Sequence, residues 1–282
     1  MKIINDINEM HEYIAKLNKR GHTIGFVPTM GALHEGHMSL VDKAASENKK
    51  VIMSIFVNPT QFGPNEDFDK YPRPLKKDLK MLKLSGKLCC VFTPEKDKMY
   101  TQDAATFVTV ENEMTDILCG GSRPGHFKGV TTIVAKLLNI VKPDRLYLGQ
   151  KDAQQAIIVK KMVNDLHYKT QVVICPIFRE KDGLAMSSRN TYLTPEQRDS
   201  APVLYKSLQM AESMIELGER TSETIKKEMK RKIKEAGVEI EYIEIVDSES
   251  LAPLDKIVGS VLIAAAIIVG ETRLIDNTII KI

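Results

Sequence analysis

Four cysteines are spread over 282 residues, and their spacing forms no framework. Cys89 and Cys90 are adjacent, whereas Cys119 and Cys175 stand alone among apolar neighbours. A disulfide scaffold or a Cys-x-x-Cys zinc knuckle is unsupported, and reduced core thiols are the expected state. Long apolar runs are also missing. The run at residues 261–269 is far short of the ~20 residues that span a bilayer. No apolar stretch with a cleavage site stands behind the opening Met1, Lys2, Ile3, Ile4, Asn5 and Asp6. Nor does one sign of charge dominate: the formal net charge of +3 is too small to imply nucleic acid or an anionic membrane as partner. The expectation is a cytoplasmic protein whose attraction for anions is local.

What is present suffices for a core. Hydrophobic residues make up 43% and charged residues 27%, the balance of a soluble globular chain. The length exceeds the ~100–200 residues of a usual domain, so one large or two modest domains are expected.

Ile7, Met10, Ile14 and Leu17 recur at helical spacing, with Asn5 or Asp6 as cap and Gly21 as stop. Residues 23–27 form a β-rich run ended by Pro28, and Met38, Leu40, Val41, Ala44 and Ala45 give a second helical face. Residues 50–57 are almost continuously apolar, as in a parallel strand covered on both faces. Leu75, Leu79 and Leu82 mark a helix, followed by a strand at 88–93, a helix at 130–141, a strand at 144–148, a helix at 153–166 and a strand at 170–174. This alternation predicts an α/β fold with a doubly wound, Rossmann-like parallel sheet. Ligands in such sheets bind beyond the carboxyl ends of the strands, where the loops at 28–37, 58–73 and 149–152 fall.

After residue 176 the texture changes. Residues 179–190 are polar, and are followed by charged helices at 195–217 and 222–236 and strands at 239–246, 260–269 and 278–282. The expected division is residues 1–176 as the Rossmann-like domain and residues 177–282 as a smaller α+β domain closing over the site.

Chemistry-bearing residues cluster on these loops. Met30, Gly31, Ala32, Leu33, His34, Glu35, Gly36 and His37 lead from a strand into a helix. A helix amino terminus has unpaired N–H groups and a positive dipole end, so it attracts phosphate, and glycines allow close approach. A lone histidine there would read as a cap. A pair with two glycines favours anion binding, and zinc lacks a third ligand nearby. Lys151 follows a strand and opens a helix, where cation and dipole repel unless a phosphate lies between them. In Met186, Ser187, Ser188 and Arg189, two hydroxyls and a guanidinium sit on the junction loop. Arg123 suits a structural ion pair as well as a ligand contact. Asp78 could help hold Mg²⁺, but a solvated helix charge is the stronger reading.

His-x-Gly-His is the signature of class I aminoacyl-tRNA synthetases and nucleotidylyltransferases, and the junction loop stands where such synthetases carry Lys-Met-Ser-Lys-Ser. The longer string around it resembles the pantothenate synthetases. So do Asn58-Pro59-Thr60-Gln61-Phe62-Gly63 with Asp69-Lys70-Tyr71-Pro72-Arg73, Ser122-Arg123-Pro124-Gly125-His126-Phe127-Lys128-Gly129, and Leu148-Gly149-Gln150-Lys151-Asp152-Ala153-Gln154-Gln155. The resemblance runs from about residue 24 to the end, including Asp247 and residues 270–277. It implies ATP-dependent joining of pantoate to β-alanine through a pantoyl-adenylate, with release of AMP and pyrophosphate; the rival is another nucleotidylyltransferase of the same superfamily. By the same resemblance ATP meets residues 30–37, Gly149, Gln150, Lys151, Asp152, the backbone near Phe178, and Met186 to Arg189. Gln61, Gln155 and Asn58 would serve pantoate and β-alanine, and His37, His34 and Lys151 the chemistry. Mg²⁺ with ATP and a homodimer are further implications.

Overall fold

The computed structural model describes residues 1–64 and 66–282; within the loop at 58–73, Asn65 lies outside the described residues. In chain order the elements are β1 (Lys2–Ile4), α1 (Ile7–Lys19), β2 (Ile24–Thr29), α2 (Glu35–Glu47), β3 (Lys50–Ile55), α3 (Leu75–Ser85), β4 (Cys90–Phe92), α4 (Lys96–Met99), α5 (Cys119–Ser122), α6 (His126–Val141), β5 (Arg145–Gly149), α7 (Ala153–Asp165) and β6 (Gln171–Cys175). The rest comprises α8 (Pro195–Ser200), α9 (Val203–Glu216), α10 (Ser222–Glu235), β7 (Glu239–Asp247), β8 (Ser260–Val269) and β9 (Thr272–Lys281).

The first six strands form one sheet in the order β1-β4-β3-β2-β5-β6, with every pairing parallel. This is the doubly wound sheet that the alternation predicted. Its order reverses between β2 and β5, and those strands pair only at Gly25↔Arg145 and Phe26↔Leu146. Beyond Phe26 they separate, which opens a crevice at their carboxyl ends.

Strand alternation divides the core. Ile24 and Phe26 of β2 and Ile52 of β3 face α1 and α6, packing on Met10, Ile14, Leu17 and Val134. Val27, Val51 and Met53 face the other way, onto Met38, Val41 and Ala44 of α2 and Leu82 of α3. Asp6 caps α1 by accepting the Glu9 N–H at 3.0 Å. The buried Met10, Ile14 and Leu17 then stabilise α1 by about 1.5–3 kcal/mol each.

The remaining strands make an antiparallel sheet, β7-β8-β9. Leu208 and Ile215 of α9 and Ile225 and Met229 of α10 cover one face. The other face lays Val246, Leu262 and Ala264 against Phe127, Ile157 and Ile158. Burial on both faces accounts for the continuous apolar composition of β8. No helix of the described residues is long and apolar enough to cross a membrane.

Of the boundaries that differ from the periodicity, three have a clear cause. β2 continues through Pro28, because the ladder to β5 has already ended at Phe26 and the missing N–H forfeits no bond on that side. The helix expected over 195–217 is two helices, since Pro202 cannot donate into α8. The last strand begins at Thr272 rather than 278: Gly270, with φ of +63°, turns the chain so that Val269 pairs with Thr272.

Candidate active site

The crevice between β2 and β5 holds a cleft of about 240 Å³. Of the residues singled out in the sequence, Met30, His34, Gly36, His37, Asn58, Gln61, Gly149, Lys151, Asp152, Gln155, Phe178, Met186, Ser187, Ser188 and Arg189 line it. Gly31, Ala32, Leu33, Glu35, Gln150 and Asp78 do not line it.

His34 is the N-cap of α2, and His37 stands in its first turn. The rings lie 4.1 Å apart. The His34 backbone N–H donates to His37 Nδ1 at 3.3 Å, so the His37 proton resides on Nε2. Burial, aided by the neighbouring His34, pushes the His37 pKa down to about 3. Burial and the Lys151 charge push His34 down to about 4. Both imidazoles are therefore neutral at pH 7, and His37 is a hydrogen-bond donor. Both glycines also make room for protein neighbours: a Cβ on Gly36 would sit 3.0 Å from the His34 ring, and one on Gly31 3.2 Å from Asp78 Oδ2.

The reading of Asp78 as a solvated helix charge is corrected. Asp78 is 1% exposed, so it is no solvated helix charge. Its Oδ2 accepts the Ala32 N–H and its Oδ1 the Leu33 N–H, each at 2.9 Å. With both oxygens so engaged, and outside the lining of the cleft, it anchors the loop before α2. That loop needs an anchor, because Gly31 and Ala32 have φ of +84° and +51°.

Gln61 lies on the 3₁₀ turn Pro59–Gln61, which α6 approaches closely: a Cβ on Gly129 would fall 2.3 Å from the Thr60 carbonyl oxygen. Asn58 donates to Gln61 Oε1 and to the Gly129 carbonyl, each at 3.1 Å. It accepts from Thr60 Oγ1 at 3.0 Å and from the Tyr100 hydroxyl at 2.8 Å. Its hydrogen-bonding capacity is consumed by protein, so Asn58 positions Gln61 and has nothing left for a substrate. Among the described residues Gln61 itself donates only to the weak acceptor Met30 Sδ, at 3.0 Å. The Gln155 amide makes no protein hydrogen bond among the described residues and faces the cleft. Both amides are thus available to a polar ligand.

Lys151 sits on the 3₁₀ turn Gln150–Asp152, with Nζ 3.6 Å from Asp152 Oδ1. Burial would raise the Asp152 carboxyl, but the Lys151 and Arg189 charges hold it below the usual range. Among the described residues lining the cleft, Asp152 is the sole carboxylate. On the junction loop, Arg189 makes a bidentate pair with Asp67, Nε at 3.0 Å and Nη2 at 2.8 Å. Ser188 Oγ lies 3.5 Å from the Tyr71 hydroxyl.

Arg123 lines the cleft and also makes an ion pair, its Nη2 being 2.5 Å from Glu66 Oε2. Its Nη1 also donates to His126 Nε2 at 3.1 Å, and His126 Nδ1 donates to the Gln61 carbonyl at 2.7 Å. Burial first, then Arg123, pushes His126 down to about 4. Tyr71 and His126 line the cleft although sequence reasoning assigned them no role. The signal at His126 was its place on the first turn of α6, directly after Gly125.

Among known proteins, the family model for pantoate-beta-alanine ligase matches residues 2–279. A pantothenate synthetase of Caldicellulosiruptor saccharolyticus is 54% identical over the full length of both chains. One of Thermotoga petrophila is 53% identical, covering 99% of this chain and 100% of its own. A crystal structure of pantothenate synthetase from Thermus thermophilus superposes with a TM-score of 0.93 at 40% identity, over 99% of each chain. That of pantoate-beta-alanine ligase from Francisella tularensis, complexed with beta-gamma ATP and beta-alanine, gives 0.82 at 39% identity, covering 99% of this chain and 97% of that one.

Proposed function

The chain belongs to the pantoate–β-alanine ligase family and is an amide-forming ligase, and from that premise we propose how its cleft joins pantoate to β-alanine at the expense of ATP. The observation that carries the reading is the convergence of the α2 amino terminus, Lys151 and two available glutamine amides on one crevice. The triphosphate lies along His34, His37, Lys151, Ser187, Ser188 and Arg189, and pantoate lies beside Gln61 and Gln155. The pantoate carboxylate attacks the α-phosphorus and pyrophosphate leaves. The β-alanine amine then attacks the pantoyl-adenylate carbonyl, and AMP leaves.

In this reading neither step needs a covalent enzyme intermediate. Holding carboxylate and phosphorus in line contributes up to about 7–11 kcal/mol for well-aligned reactants. His37 donates its Nε2–H to charge developing on the phosphate, and Lys151 and Arg189 add fixed positive charge. A Mg²⁺ ion accompanying ATP would neutralise phosphate charge. A single cleft carboxylate, Asp152, suits an ion held mainly by phosphates and water. Residues 1–176 bind ATP and pantoate, and residues 177–282 close over them through the junction loop. A homodimer and a cytoplasmic location, implied by the resemblance, complete the proposal.

The test splits the reaction. With pantoate, Mg²⁺ and no β-alanine, the protein should exchange labelled pyrophosphate into ATP. Adding β-alanine should then yield AMP and amide in equal amounts. Lys151→Met should suppress exchange strongly, and Cys89→Ser, remote from the cleft, should leave it nearly unchanged. Exchange with another carboxylic acid but not pantoate would overturn the substrate placement. Absence of exchange with any carboxylic acid would overturn the adenylate route.

A further inference from the structure

Two nucleotide-facing loops, one after β5 and one after β6, are tied to a single dipeptide of β9. Asn277, 3% exposed, donates through Nδ2 to the Gln150 carbonyl at 2.9 Å and the Lys151 carbonyl at 3.1 Å. Its Oδ1 accepts Gln150 Nε2 at 3.2 Å. Asp276, also 3% exposed, accepts Arg179 Nη1 at 2.6 Å and Nη2 at 3.0 Å. Arg179 stands at the base of the junction loop. It bridges to Ala185, donates to the Gly183 carbonyl at 3.0 Å and stacks 4.0 Å over the Tyr205 ring. Just beyond, the Met186 N–H closes on the Phe178 carbonyl at 3.0 Å.

Neighbouring strand residues face opposite ways, so β9 reaches one loop with each side chain. An asparagine at 277 supplies two donors and an acceptor in one plane, which aspartate lacks. Asp276 answers a guanidinium with a paired carboxylate, the geometry that fixes orientation as well as distance. Neither residue lines the 240 Å³ cleft, though both border a smaller adjoining pocket of about 70 Å³ that shares Lys151 and Arg189 with it. We propose that Asp276 and Asn277 are positioning residues for adenylate formation, locking the Gln150–Lys151 turn and the junction loop into one unit built on the C-terminal sheet. This rests on the assignment of those two loops to ATP.

Pyrophosphate exchange and thermal melting in the full chain test it. Asn277→Ala should lower kcat/KM for ATP about 10–100-fold, the usual penalty for misplacing reacting groups by about 1 Å, with the KM for pantoate within about twofold. Thr272→Ala, at the hairpin end of the same strand, should lower the melting temperature without changing ATP kinetics. Asp276→Asn should raise hydrogen exchange at residues 186–190. If Asn277→Ala is poorly folded, Asn277→Ser, which keeps one donor, should show the same selective ATP defect in smaller measure. ATP kinetics unchanged in the folded variants, or ATP and pantoate terms falling together in step with melting temperature, would overturn the proposal. Lys151→Met separates the two levels. If it suppresses exchange while Asn277→Ala does not, only this inference fails; if it is without effect, the assignment of the loops to ATP fails first and takes this inference with it.

Discussion

The His34 backbone N–H donates to Nδ1 of His37 across 3.3 Å, and this contact fixes which His37 nitrogen carries the proton. Nδ1 is occupied as an acceptor, Nε2 carries the proton, and burial holds the ring neutral with a pKa of about 3. A neutral donor stabilises developing phosphate charge without first losing a proton.

His37→Ala should therefore lower turnover about 10²–10³-fold, the range for removing one such donor, with much less change in ATP affinity. Steady-state kinetics paired with nucleotide binding would decide. A large rise in the ATP dissociation constant with turnover kept would make His37 a ground-state ligand instead.

His126 makes stability depend on pH. Its folded pKa of about 4 lies below the ordinary value of 6.5, because burial and Arg123 disfavour the cation. A depressed folded pKa means that the unfolded chain binds the extra proton first. The contribution is complete above about pH 6.5 and is lost as pH falls toward 4, amounting to about 2 kcal/mol by pH 5. Urea unfolding at pH 7 and pH 5 should show His126→Gln losing less stability across that interval than the parent. Equal losses would exclude His126 as the source.

Asp78 anchors the loop before α2 from behind. Asp78→Ala should destabilise the protein, since a buried donor left unpaired costs about 1–3 kcal/mol, and should lower the rate of pyrophosphate exchange. The Mg²⁺ concentration for half-maximal exchange should stay unchanged in Asp78→Asn. A several-fold rise in that requirement would restore Asp78 as a metal ligand.

Arg189 is held by Asp67 in this structure, and the proposed triphosphate contact would compete for the same guanidinium. Hydrogen exchange at residues 186–190 should slow when ATP binds. Asp67→Asn should speed it without nucleotide and matter less once ATP is present. Protection that is the same with and without nucleotide would remove the closing loop from the mechanism.

The sequence by itself determined the parallel sheet and most of its helices, because period-2 and period-3.6 burial are local consequences of strand and helix geometry. It also identified many of the residues that line the cleft, since strand-to-helix loops bearing His34, His37, Lys151 and Arg189 are written in contiguous segments. Only tertiary structure decided which of the named residues face the cleft and which hold others in place. Asn58 and Gln61 are near neighbours and equally polar, yet packing against Tyr100 and Gly129 consumes the Asn58 amide, while the Gln61 Nε2 group has only a sulfur acceptor among the described residues. Asp78 looked like a surface charge on a lysine-rich helix until the fold set it under the amides of Ala32 and Leu33. Asp276 and Asn277 bore no local sign of reaching Arg179 and Lys151. Hydrogen-bond satisfaction is a property of the three-dimensional neighbourhood, and contacts between segments so far apart in the chain leave no periodicity to read.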